Sequence, residues 1–276
     1  MLKIIQITDC HFVPKGETIF GSDPHERLAA AVADINRHHR DAELCVVTGD
    51  LAHHADPRAY ALLKETLGEL SIPVQLLAGN HDERAALCTT FPSLAVDENG
   101  FVQSVRDTRE GRFIFLDTID PGVHTGFFCE QRQNWLTRTL DESKGRPVFL
   151  FMHHPPFEIA LPHLDQYMIT NSEAFARVVA GHTNIRHIFF GHVHRPVCGS
   201  WRGFSFSALR GTNHQSWLTF ETTRANICSL EPPAYAVIFI DRDRTIVHYH
   251  DFLDANPKFS YDPDAPIGEQ VKRLTI

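Results

Sequence analysis

Five short runs of apolar, β-branched or aromatic residues each end in a polar cluster. This repeated junction limits what the chain can fold into more than any other feature. Residues 3–8 (KIIQIT) run into Asp9-Cys10-His11, and residues 44–48 (LCVVT) into Gly49-Asp50. Residues 73–77 (PVQLL) lead to Gly79-Asn80-His81-Asp82. Residues 147–152 (PVFLFM) lead to His153-His154-Pro155-Pro156, and residues 185–190 (IRHIFF) to Gly191-His192-Val193-His194. Runs of this length and type predict buried strands. Between the first three lie segments with helical spacing: Leu28, Ala31, Val32 and Ile35, then Tyr60, Leu63, Leu67 and Leu70. The β-α-β-α-β order predicts an α/β layered fold. In an open α/β sheet ligands bind beyond the carboxyl ends of the strands. The five clusters, distant in sequence, are therefore expected to converge in space.

Beyond residue 100 the chain has more strand character. Residues 101–105 and 112–117 predict a hairpin about Gly111, and 130–141 and 172–180 predict helices. Residues 204–208, 234–240 and 245–251 predict late strands, and the tail after about residue 256 an extended arm. The Pro-containing stretches 155–163 and 229–235 read as loops. With 276 residues, 43% of them apolar, the chain can bury a large core without disulfide staples. It is read as a single domain over 1–276. The stretch from about 198 to 233 stands out as a cap or oligomer-contact insertion. There Phe204, Phe206, Trp217 and Phe220 are more apolar than a solvated loop requires, ordinary core being the alternative.

Charge and cysteine usage narrow the class. Twenty-six basic against 34 acidic side chains give a formal charge of −8. No basic stripe with interleaved aromatics offers a path for long nucleic acid. No apolar run approaches the ~20 residues of a membrane span, and the opening MLKIIQITDCHF lacks the apolar stretch of a signal peptide. None of the six cysteines is paired as CxxC. The expectation is a soluble cytoplasmic protein with reduced thiols, no membrane and no long nucleic-acid partner.

Histidine is abundant, at 18 residues, and it is the commonest metal ligand. Carboxylate, imidazole and amide oxygen together suit Zn, Mn, Fe or Co. Along an extended segment alternate residues share a face. Asp9 with His11, and His192 with His194, are thus expected to be two-pronged pairs, with Cys10 turned away into packing.

Taken in order, DxH, GD, GNHD, HHPP and GHVH resemble the calcineurin-like metallophosphoesterase superfamily. Within it the chain most resembles bacterial class III cyclic-nucleotide phosphodiesterases and related glycerophosphodiesterases. The motifs span residues 9 to 194, about two-thirds of the chain. The resemblance implies a four-layer αββα sandwich of two mixed β-sheets flanked by helices. It also implies two divalent metal ions (Mn, Fe, Zn or Co). Asp9, His11, Asp50 and His194 would hold the first, and Asp50, Asn80, His153 and His192 the second, with Asp50 bridging. The implied reaction is hydrolysis of a small phosphodiester, a cyclic nucleotide or a glycerophosphodiester, by a metal-bridging hydroxide attacking phosphorus in line.

Other residues are weighed beside this set. His81 corresponds to a substrate-side histidine that stabilises the transition state or protonates the leaving group. Asp82 is expected behind the His81 ring, or else as a helix N-terminal residue. His53 stands where related glycerophosphodiesterases carry Asn near the substrate. His214 lies in GTNHQ, which resembles a GTxHQ segment of that branch, and is a candidate substrate contact. Arg195 follows His194 and is a candidate at the site mouth. His154 should point away from the metals and be structural, and His38, His39, His182 and His187 read as surface or packing residues. A phosphomonoesterase or nucleotidase is the alternative reading. A non-catalytic binding module on the same fold is the remote one, since it predicts missing ligands. The glycerophosphodiesterase likeness also points to a homo-oligomer.

Overall fold

Two β-sheets meet face to face along a core of aromatic and aliphatic side chains. The fold is that of a computed structural model, which describes residues 1–221 and 226–274. The first half runs β1 (Leu2–Ile7), α1 (Pro24–His38), β2 (Leu44–Thr48), α2 (Pro57–Gly68), β3 (Val74–Leu77) and α3 (Arg84–Thr90). There follow β4 (Ser104–Thr108), β5 (Gly111–Phe115), α4 (Glu130–Asp141), β6 (Val148–Phe151), α5 (Pro162–Asp165), α6 (Ser172–Val179) and β7 (Ile185–Phe190). The last part is all strand: β8 (Val197–Trp201), β9 (Phe204–Ala208), β10 (Gln215–Ser216), β11 (Cys228–Ser229), β12 (Tyr235–Ile240), β13 (Thr245–His250), β14 (Lys258–Tyr261) and β15 (Val271–Leu274).

The first sheet has the order β13-β12-β1-β2-β3, and the second β4-β5-β6-β7-β9-β8. In the first, β1, β2 and β3 are parallel, and β12 pairs antiparallel with β1. In the second, β5, β6, β7 and β9 are parallel, with antiparallel edges β4 and β8. The period of two along each strand sorts the side chains into layers. Ile4, Val46, Phe113, Phe149, Phe151 and Phe189 fill the space between the sheets. Ile5, Ile7 and Val47 face outward under Leu28, Val32 and Ile35 of α1 and Leu63 of α2. Ile114, Leu150 and Ile188 face outward under Leu136 of α4 and Phe175 of α6. Each such buried side chain contributes roughly 1.5–3 kcal/mol. The result is the expected αββα sandwich.

Helix starts are written in the sequence. Asp23 and Asp56 each precede a proline and accept a hydrogen bond from the backbone N–H of the second residue beyond them, the preferred chemistry of a helix N-terminus. The differences from expectation lie in the second half. The first arm of the hairpin is 104–108 rather than 101–105, because Val102 is buried in the core and its N–H goes to the Asp117 carboxylate instead of a strand partner. The short helices α3 and α5 were not foreseen. The tail is a hairpin, β14–β15, rather than a plain arm.

The 198–233 segment divides in two. Its first part is sheet: Phe204 and Phe206 are core residues of β9. Its second part carries Trp217 and Phe220, which are exposed, beside the small β10–β11 ladder. Residues 222–225 of that segment lie outside the described residues.

Candidate metal centre

Seven parallel strands, β1, β2, β3, β5, β6, β7 and β9, send their carboxyl ends toward one edge of the sandwich. The five polar clusters of the sequence follow five of them. The clusters are not extended, so the strand alternation expected for Asp9/His11 and His192/His194 does not hold there. Asp9, His11, Asp50, His192 and His194 all have left-handed backbone, with φ of 53°, 49°, 49°, 67° and 46°. Such residues are strained by roughly 1–3 kcal/mol each and concentrate at functional sites. Each sharp turn brings a side chain back over the strand end. Gly79 makes the close approach feasible, since a Cβ there would collide with the Asp50 carboxylate and backbone nitrogen.

The side chains form two adjoining groups. One ligand atom from each of Asp9, His11, Asp50 and His194 lies within 4.8 Å of the others, all four residues being buried. Within this group His11 Nε2 is 3.1 Å from His194 Nε2, and His194 Nε2 is 3.3 Å from Asp9 Oδ1. In the second group His153 Nε2 is 3.3 Å from Asp50 Oδ1, 3.1 Å from Asn80 Oδ1 and 3.3 Å from His192 Nδ1. Asp50 sends Oδ2 to the first group, 3.6 Å from His11 Nε2, and Oδ1 to the second.

The donor set suits divalent cations. His194 Nδ1 donates to the His214 carbonyl at 2.8 Å, and His153 Nδ1 to the Thr48 carbonyl at 2.7 Å. In the neutral rings both Nε2 atoms therefore present lone pairs, and each faces further acceptors at little over 3 Å. A shared positive charge satisfies that geometry. The protonation equilibria report the same field. Against the cost of burial, Asp50 pushes His153 up to about 9, and the imidazoles around Asp50 hold its carboxyl well below the usual range.

A model of the family described as calcineurin-like phosphoesterase matches residues 2–196. The chain belongs to the calcineurin-like phosphoesterase family. It is 40% identical over 262 residues to a Rhodopseudomonas palustris protein named "Probable cyclic nucleotide phosphodiesterase", covering 94% of this chain and 96% of that one. It is 27% identical over 238 residues to a glycerophosphodiester phosphodiesterase of Enterobacter lignolyticus, covering 84% and 85%. Among solved structures, a dimetal phosphatase from Danio rerio superposes with a TM-score of 0.70 at 18% identity, covering 92% of this chain and 97% of that one. That likeness carries the fold.

Around the two groups of this family member lie further histidines. His81 donates from its backbone N–H to Asp50 Oδ1 (2.9 Å) and from its ring Nδ1 to the His53 carbonyl (2.8 Å). This leaves His81 Nε2 toward a cleft of about 390 Å³ whose lining includes His53, His54, Asn80 and His124. The His53 ring stacks on His81 at 4.9 Å and meets His11 Nδ1 at 3.1 Å. Burial and the neighbouring His81 push His53 down to about 4. His214 is at the site too: its ring centre is 4.5 Å from that of His194 and 4.9 Å from that of His11. It follows β9, a strand end that the sequence did not mark as a sixth junction.

Two expectations fail. The Asp82 carboxylate does not back the His81 ring and does not cap a helix. It accepts from the backbone N–H groups of Leu51, Ala52 and Gly79 and from the Tyr60 hydroxyl, tying the β2 and β3 loops together. Glu83 caps α3 instead. Burial and nearby Asp50 push the Asp82 carboxyl up to about 6. Arg195 does not reach the mouth: it pairs with Glu231 at 2.8 Å and donates to the Ser216 carbonyl. His124, which sequence reasoning missed, lies on the loop after β5. Its Nδ1 accepts from Asn80 Nδ2 at 3.0 Å. No local motif marks it, because only the loop's return toward β3 brings it to the site. Cys10 is buried in the core, as expected, and burial pushes its thiol up.

Proposed function

We propose that the protein is a two-metal phosphodiesterase of small diesters, cyclic nucleotides or glycerophosphodiesters. One observation carries the choice of diester over monoester: the lining of the cleft beside His81. Its only Arg or Lys among the described residues is Arg84, whose Nε and Nη2 are engaged by the Asp117 carboxylate at 2.7 and 2.6 Å. With Arg195 also paired to Glu231, no guanidinium without a carboxylate partner lines this cleft among the described residues to meet the second charge of a monoester, which such sites hold with extra Arg or Lys. A diester has one charge and needs width instead, which four imidazoles around an open cleft allow.

Asp9, His11, Asp50, Asn80, His153, His192 and His194 would hold the two divalent ions, of Mn, Fe, Zn or Co type. Such ions supply charge neutralisation and a water of lowered pKa. His81 Nε2 faces the cleft to hydrogen-bond or protonate the leaving oxygen, with its ring fixed from behind by the His53 carbonyl. His53 and His214 border the phosphate position. The names of the relatives from R. palustris and E. lignolyticus agree with both diester classes. The complete donor set speaks against a binding module without catalysis.

The test is metal-stripped protein reloaded with Mn²⁺ and assayed on bis-p-nitrophenyl phosphate and p-nitrophenyl phosphate at one pH. A higher kcat/KM for the diester is expected. Preference for the monoester overturns the reading in favour of a nucleotidase. The same reading includes a homo-oligomer, supported by the exposed Trp217, Leu218, Phe220 and Ile227 beside β10 and β11. Sedimentation as a monomer rejects that part.

A further inference from the structure

Each of the four imidazoles at the two ion positions turns one ring nitrogen inward, and the other nitrogen of a ligating histidine needs a partner of its own. Three have one. His153 Nδ1 meets the Thr48 carbonyl, His194 Nδ1 the His214 carbonyl, and His11 Nδ1 the His53 ring. His192 is the exception. Its Nδ1 lies on the ion side, 3.3 Å from His153 Nε2, while its Nε2 is buried without a hydrogen-bond partner among the described residues.

The residue beside it has the matching deficiency. His154 is 0% exposed, and its Nε2 is likewise buried and unpartnered. The two ring centres are 4.7 Å apart and the planes are tilted by 49°. The other face of His154 is fully engaged. Its Nδ1 is 2.7 Å from Thr118 Oγ1, which also accepts the His154 backbone N–H at 3.3 Å. With Thr118 Oγ1 accepting from both groups, the ring proton sits on Nδ1 and Nε2 is an acceptor. Gly126 lets the backbone pass close to the ring, since a Cβ there would lie 2.8 Å from His154 Cγ.

We infer that His154 is the positioning residue for His192, its Nε2 accepting the hydrogen bond from His192 Nε2–H when Nδ1 of that ring holds the second ion. The inference rests on the two-metal reading above. It gives the second histidine of HHPP a role other than packing. An ion on Nδ1 leaves the proton on Nε2, and a buried N–H without an acceptor weakens the ion it opposes. The contact orients a ligand and moves no proton.

The experiment is titration of the metal-free full chain with Mn²⁺, by calorimetry and electron paramagnetic resonance, for wild type, His154→Phe and His154→Gln. Phe keeps the ring volume but removes the acceptor, and Gln restores one. Expected is one ion held by His154→Phe as in wild type and the second held 10–100-fold more weakly, the usual effect of losing such a partner. His154→Gln should recover most of that loss. Thr118→Val, which releases the tautomer, should weaken the second ion in the same direction, and it carries the test if His154→Phe fails to fold. Wild-type affinity for both ions in His154→Phe, with only a lower melting temperature, overturns the inference. So does a Gln variant no better than Phe. Diester hydrolysis by wild type is measured in parallel. Two tight ions without diester preference reject the proposed reaction alone, whereas fewer than two ions in wild type reject both.

Discussion

The His81 imidazole is held from behind through Nδ1, so its Nε2 is the atom free to meet a leaving oxygen. Its link to Asp50 runs through the backbone N–H, which any residue keeps. His81→Ala should therefore lower kcat on the diester by roughly 10²–10⁴-fold while both ions bind as before. A parallel loss of metal would show that the ring supports the centre instead. Arg195 gives the opposite forecast. Its guanidinium is bound to Glu231 and the Ser216 carbonyl, outside the cleft. Arg195→Ala should leave diester kcat/KM within about threefold, since no interaction made in the transition state is removed. Glu231 keeps Arg210 at 3.5 Å and the Ser229 hydroxyl, so stability should fall by only roughly 0.5–1.5 kcal/mol in urea unfolding. A large activity loss with unchanged stability would place Arg195 at the substrate. At this scale the sequence revealed residue types and spacing. It could not reveal that Asp82 serves three backbone donors, because those donors belong to two loops.

Among the elements, β7 carries a buried histidine with no part in the proposed chemistry. His187 stacks on Phe189 at 4.1 Å and bonds Ser207 Oγ of β9 at 2.9 Å, and burial pushes it down to about 3. Its folded value is thus below the ordinary ~6.5 of the unfolded chain. From about pH 6.5 down to 3 the unfolded state binds a proton that the folded state refuses, so stability falls as pH falls through that window. Near pH 5 this residue alone should contribute about 1.4 kcal/mol per pH unit. Between pH 7 and 5 His187→Gln should lose roughly 1.9 kcal/mol less stability than wild type in urea unfolding; an equal loss would mean that the native ring protonates. The strand itself was legible, because Ile185 and the Ile188-Phe189-Phe190 run mark a mostly apolar segment buried on both faces. β8 was not: VCGSW is half exposed at a sheet edge and has no local signal apart from its pairing with β9.

At the scale of the whole molecule the proposed ion ligands lie where the two sheets meet. Asp9, Asp50 and Asn80 follow strands of the first sheet, and His153 and His192 strands of the second. Bound ions would then act as a clamp across the sandwich. Chelation should lower the melting temperature in calorimetry without loss of the strand signal, and free ion at 100 times its Kd should restore about 2.7 kcal/mol per site. An unchanged melting temperature would mean that the sheets alone fix the edge. The sequence by itself determined the parallel strands, the five junctions and the identity of the donor atoms, because apolar runs and short polar motifs are local and survive without context. Only the tertiary structure decided which donors face one another, that they do so through left-handed turns rather than extended alternation, and that His124 and His214 join them while Arg195 and Asp82 do not. Those outcomes depend on loop closure and on partners up to 183 residues away, such as His11 and His194. Residue order does not encode such distances until the two sheets have packed.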